Sequence, residues 1–114
     1  MARLSLRVEF PGGGAIGPGK IRLLELIDRH GSISAAGRAM GMSYRRAWQL
    51  VEALNEDFRE PVITTAVGGR RGGGARVTPF GRRLATRFRA MESAASRAIA
   101  AHLRRFAAEL RRAR

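Results

Sequence analysis

A mainly helical α+β fold with a small sheet is what this 114-residue sequence predicts, on three observations. Two short apolar helical patterns meet at a Gly-Met corner within residues 31–55. Two β-branched runs, 62–67 and 75–78, flank the loop GGRRGGG. From residue 79 onward an apolar residue recurs every three or four positions. Together these describe a helix-turn-helix with a β wing and a long C-terminal helix. The length suits one compact domain plus an extended element, divided as 1–78 and 79–114.

Each element has a local cause. Leu4, Leu6, Val8 and Phe10 alternate with polar residues, the period of a half-buried strand. Pro11 ends it, and a Gly/Pro turn over 12–19 follows. Residues 20–30 read as a helix with Ile21, Leu23, Leu24 and Ile27 on its apolar face and Gly31 as C-cap. Ser32 or Ser34 caps the next helix, which buries Ile33, Ala35, Ala36 and Met40. Gly41 turns the chain and Met42 plugs the corner. Ser43 caps a third helix to about residue 55, with Ala47, Leu50, Val51 and Leu54 inward. The two β-branched runs then make a hairpin. Thr78 caps the last helix with Pro79 at its first position.

That last helix carries Phe80, Leu84, Phe88, Met91, Ala95, Ile99, Leu103, Phe106 and Leu110 in one stripe. Over about 30 residues it would run about 45–50 Å, more than so small a domain can cover. The stripe therefore predicts pairing with a second copy, and these nine residues are the candidate dimer contacts. The same helix holds ten Arg against two Glu, so the apolar stripe must outweigh like-charge repulsion. A basic amphipathic helix lying on anionic lipid is the competing reading.

Charge narrows the partner. Lys and Arg number 22 against 9 acids, a formal +13, and Lys20 is the sole lysine. Such a surplus points to a polyanion, double-stranded DNA first. Arg over Lys adds a planar fork suited to phosphates and guanine edges. With no cysteine, disulfides and thiolate metal sites are excluded. The N-terminus lacks the apolar core of a signal peptide, and no apolar run reaches membrane-spanning length, so a cytoplasmic protein without membrane association is expected.

The candidate interface follows. Ser43, Tyr44, Arg45 and Arg46 stand at a helix N-terminus, where the dipole favours an anion and side chains reach base edges or phosphates. Gln49, one turn on, suits an adenine edge. Trp48 is expected between this helix and the wing rather than on DNA. Arg70 and Arg71, among glycines at the wing tip, would enter a minor groove or clasp phosphates. Thr64, Thr65 and Arg76 add candidate backbone contacts. The bland alternative is a generic three-helix core with solvated arginines; the cap, wing and charge together argue against it.

No enzyme is expected. GAIGPGK at 14–20 imitates a phosphate-binding loop, but Ile21 stands where Ser or Thr should hold Mg²⁺, and Pro18 removes an N–H that the cradle needs. His30 and His102 have no partner at metal-ligand spacing, and no cofactor is implied. An unspecific nucleoid-associated or RNA-binding basic protein is the rival reading from the same charge.

GSISAAGRAMGMSYRRAW and GGRRGGGARVTPFG, with the spacing between them, resemble the N-terminal DNA-binding domain of the ModE family of molybdate-responsive bacterial regulators, a LysR-type winged helix. The resemblance runs over nearly the whole chain. It implies a homodimer on an inverted-repeat operator, residues 43–49 in the major groove, Arg70 and Arg71 at the wing, and joining through strand and long-helix contacts. The family continues into C-terminal molybdate-binding domains, whereas this sequence stops at Arg114. Oxyanion sensing is therefore not carried over, and either a sensor-less relative or a separate sensor protein is expected.

Overall fold

The computed structural model describes residues 2–66 and 74–111. It is a winged helix-turn-helix of the α+β class. Strand β1 (Val8–Glu9) pairs antiparallel with β2 (Ala15–Ile16). Helices α1 (Pro18–His30), α2 (Ile33–Ala39) and α3 (Tyr44–Asp57) follow, then the hairpin β3 (Ile63–Ala66) and β4 (Gly74–Val77). Two helices come last among the described residues, α4 (Pro79–Ala98) and α5 (Ala100–Glu109).

The first hairpin departs from the expected plain turn. Gly12 and Gly13 take φ of +92° and +108°, which only glycine adopts without strain. The Phe10 N–H then reaches the Gly14 carbonyl at 2.7 Å, and β2 forms inside the Gly/Pro segment. Helix α1 consequently starts at Pro18, two residues earlier than the apolar pattern indicates, with Gly17 as N-cap and no side-chain cap. Residues 2–10 do alternate between half-buried and exposed.

The core is aliphatic. Ile21, Leu23, Leu24 and Ile27 of α1 are fully buried with Leu54 of α3 and Val62 before β3. Ala36, Ala47, Val51, Val77, Leu84 and Phe88 belong to the same cluster. An edge-to-face series, Phe10 on Phe58 at 5.6 Å and Phe58 on Phe80 at 5.9 Å, closes one side. Gly31 ends α1 at φ +69°, its N–H on the Ile27 carbonyl. Its own carbonyl accepts the Ala75 N–H at 3.0 Å. One residue thus caps α1 and hangs β4 on the α1–α2 junction.

Asn55 is the second fixing point. Its Oδ1 accepts the Val62 and Ile63 N–H groups at 2.8 and 3.1 Å, and its Nδ2 donates to the Ile63 carbonyl at 3.0 Å. The end of α3 is thereby bound to the start of the wing.

Helix α4 begins as expected. The Thr78 hydroxyl accepts the Gly81 N–H and itself donates to the Pro61 carbonyl at 2.7 Å. At Gly81 a Cβ would lie 2.5 Å from the Val62 carbonyl oxygen and 2.8 Å from Val77 Cγ1. Gly81→Ala should therefore destabilise, by about 1–2 kcal/mol net of the ~1 kcal/mol that alanine gains in a helix. Gly19→Ala, which meets nothing within 4 Å, should be neutral or slightly stabilising. Equal urea midpoints for the two variants would contradict the packing described.

The C-terminal stripe is not one continuous helix. Ile99, at φ −109° and ψ 14°, separates α4 from α5. The backbone hydrogen bonds bridge the break, from Ile99 N–H to Ala95 and from Leu103 N–H to the Ile99 carbonyl. The interruption falls on a β-branched residue. The described structure is elongated, 55 × 34 × 24 Å.

Two ion-paired contacts close the seam between α1 and α4. Arg89 grips Glu25 through Nη2 at 2.8 Å and Nε at 3.0 Å, and its Nη1 meets Glu92 at 2.8 Å. Arg82 holds Asp28 through Nη2 at 3.1 Å and Nε at 3.2 Å. Hydrogen bonding from Arg89 keeps the Glu25 carboxyl below its ordinary range, against a smaller opposing effect of burial. Glu25 and Glu92 in turn raise the Arg89 guanidinium.

Candidate nucleic-acid interface

The corner is built by three local devices. The Ser32 hydroxyl accepts the Ala35 N–H at 3.1 Å and starts α2. Gly41, at φ +69°, reverses the chain while the Met42 N–H returns to the Gly37 carbonyl at 3.0 Å. The Ser43 hydroxyl then accepts the Arg46 N–H at 3.1 Å and starts α3. A Cβ on Gly37 would come within 3.1 Å of the Ala47 Cβ, so this glycine permits the close approach of α2 to α3. Met42 is half-buried in the corner, against the core.

On α3 the buried stripe is Ala47, Val51 and Leu54, with Leu50 half-buried beside it. At ~100° per residue, Arg45 and Gln49 stand opposite that stripe, and Arg46 and Tyr44 flank them on either side. All four are exposed, as is Ser43. Tyr44, 56% exposed, leans edge-on to Trp48 at 6.1 Å. Trp48 is half-buried against the core, in keeping with a packing role. Arg46 borders a cleft that it shares with Arg7 and Lys20.

Lys20 of the phosphate-loop look-alike is engaged elsewhere. Its Nζ donates to the Ala15 carbonyl at 2.7 Å and lies 3.9 Å from the Asp57 carboxylate. It ties the start of α1 to β2 and to the end of α3.

Within the hairpin, register assigns faces. Thr64 pairs with Arg76, and both are exposed on one face. Thr65 pairs with Ala75 on the other, the face of Ile63 and Val77. Thr65 and Arg76, grouped as candidate contacts, therefore lie on opposite faces of the wing. Arg70 and Arg71 lie outside the described residues.

No ion pair among the described residues involves the arginines of this surface. Among the described residues, Arg7, Lys20, Arg82, Arg89 and Arg105 have acidic partners, whereas Arg45, Arg46 and Arg76 have none. The same holds for Arg22, Arg29, Arg83 and Arg87 elsewhere on the described surface, and Glu52 and Glu56 are exposed on the outer side of α3 itself.

The C-terminal stripe divides in two. Leu84 and Phe88 are buried in the chain's own core, and Phe80 is half-buried against Phe58. Ala95, Ile99 and Leu103 are half-buried. Met91 is 40% exposed, Phe106 63% and Leu110 64%. No described helix is long and apolar enough to cross a membrane. No group of three or more His, Cys, Asp or Glu among the described residues would hold a metal.

Comparison with known proteins agrees with this geometry. Residues 19–82 match the family described as bacterial regulatory helix-turn-helix protein, lysR family. Over 95 residues the chain is 43% identical to the molybdenum-pterin-binding protein MopA of Rhodobacter capsulatus, covering 83% of this chain and 36% of that protein. It is 40% identical over 92 residues to the molybdenum transport protein ModE of Azotobacter vinelandii, covering 81% and 33%. The DNA-binding transcriptional dual regulator ModE of Escherichia coli (strain K12) is 39% identical over 67 residues, covering 59% and 26%. The chain therefore spans between about a quarter and just over a third of the length of these relatives.

Proposed function

Because this chain belongs to the lysR family of bacterial regulatory helix-turn-helix proteins, we propose that it is a cytoplasmic transcription regulator that binds an inverted-repeat operator as a homodimer. The observation that carries the reading is the capped N-terminus of α3. There Arg45 and Gln49 project opposite the buried stripe, on a face whose arginines have no acidic partner. Arg45 reads a guanine edge and Gln49 an adenine edge in the major groove; Arg46, Tyr44 and Ser43 take the adjoining phosphates. Arg76 and Thr64, with Arg70 and Arg71 of the wing tip, add sequence-independent grip, and Thr65 a further contact.

Dimerisation uses the outer end of the C-terminal stripe, Met91, Ala95, Ile99, Leu103, Phe106 and Leu110. Phe80, Leu84 and Phe88 serve the protomer's own core and anchor that arm. The 1–78 unit then acts as reader and the 79–114 segment as coupler. The relatives' names tie this reading to molybdenum, and the regulon is proposed there. A separate sensor protein is one route for such a signal.

Electrophoretic shift assays across a salt series, with bulk DNA competitor, test the proposal. A dimer contacting about 7–10 phosphates should give a log–log slope of about −6 to −9, and binding to a selected site should survive a large excess of random duplex. A flat salt response would sink DNA binding altogether. A steep slope with no preference would favour the unspecific nucleoid-associated alternative.

A further inference from the structure

Helix α4 parts from the aliphatic core after Phe88, although Ala2 still lies beside Ser96, Ala100 and Leu103 farther out. Phe88 is its last buried residue, and Met91, three positions on, is 40% exposed. Arg89 lies between them and makes the outermost contact of the α1–α4 seam, two bonds to Glu25 and one to Glu92. Apolar contact at Leu84 and Phe88 resists separation of the helices but is non-directional, so it does little against roll or tilt. A bidentate guanidinium–carboxylate pair does fix direction; Arg82 on Asp28 pins the start of α4 in this way, and Arg89 on Glu25 supplies the second, outer point that completes the alignment.

The head side of this joint is a fixed unit, and on the other side α4 and α5 stay linked by backbone hydrogen bonds across the break at Ile99. Helix α1 runs into Gly31, whose carbonyl holds Ala75 of the wing, and Ser32 at once starts α2. The reading head and α1 therefore move together. On the other side, residues 90–109 form the arm.

We infer that Arg89, held by Glu25 and Glu92, is a positioning residue that sets the angle between the reading head and the arm, and thereby the half-site separation a dimer accepts. The leverage is large. About 20 residues of helix beyond Arg89 extend ~30 Å at ~1.5 Å per residue, so a tilt of ~10° moves the far end by ~5 Å. That exceeds one base-pair step of about 3.4 Å. The inference rests on the dimeric reading above.

The test uses the full chain and duplexes recovered from it by in vitro selection. Their half-site separation is then changed by one and two base pairs in each direction, with a single half-site as reference. Wild type should lose about tenfold in affinity for each base pair away from the optimum, whereas Arg89→Met and Glu25→Met should each lose about threefold or less. Single half-site affinity should stay within about twofold for both variants, and Arg89→Lys should fall between them and wild type. Steep spacing steps retained in Arg89→Met would overturn the inference and leave the dimeric reading intact. So would a loss of half-site affinity equal to the loss on the full site, since that marks a damaged head rather than a freed arm. A wild type indifferent to spacing would remove the dimeric reading, and this inference with it.

Discussion

Asn55→Ala should cost about 3 kcal/mol of stability, because it strands two backbone N–H groups and a carbonyl at buried positions. Val62 is fully buried and Ile63 nearly so, and both N–H groups point only at Asn55 Oδ1. Water cannot readily replace that acceptor. Asn55→Asp separates the two halves of the contact. It keeps an oxygen for both N–H groups and loses only the donor to the Ile63 carbonyl, so it should cost about half as much. Urea unfolding gives both values. Amide exchange locates the effect: Val62 and Ile63 should lose protection in Asn55→Ala while the α1 amides keep theirs. An Asn55→Ala protein as stable as wild type would show that the α3–wing latch contributes nothing.

Arg45→Ala should cut the preference for operator over random duplex by about 10- to 100-fold, since a bidentate base contact carries about 1–3 kcal/mol of discrimination. Its salt slope should change by no more than about one. Arg46→Ala should behave in the opposite way. From its flanking position it should weaken selected and random duplexes alike, with the slope reduced by about one. The contrast comes from helix geometry: Arg45 stands opposite Ala47, Val51 and Leu54, and Arg46 does not. Competition titrations at two salt concentrations separate the two behaviours. An Arg45→Ala protein with full specificity would show that α3 is not the reading helix.

Much of this architecture was legible residue by residue. Ser32, Ser43 and Thr78 cap because a hydroxyl before a helix is a local device, and Gly31 and Gly41 turn because their left-handed φ is a local demand. The inward stripe of α3 follows from its spacing, and with it the outward residues Ser43, Tyr44, Arg45, Arg46 and Gln49. What escaped depends on distant partners. Asn55 reads as an ordinary helix end until Val62 and Ile63 are folded beside it. Thr65 and Arg76 look alike until register puts them on opposite faces. The break at Ile99 is silent because the apolar spacing passes through it unchanged, with no glycine or proline nearby. The division of the stripe was equally hidden, since Phe88 and Phe106 differ only in what the rest of the chain covers.

Lys20 carries a last consequence. It is the sole amine side chain in the sequence, and it is held by the Ala15 carbonyl and Asp57. Every other basic side chain apart from the two histidines is a guanidinium, which neither deprotonates in the cellular pH range nor accepts an acetyl group as lysine does. The guanidinium charge is thus independent of pH across the cellular range. Lysine acylation, a common way to remove positive charge, has one side-chain target in this sequence, and that amine is already engaged by a carbonyl and a carboxylate.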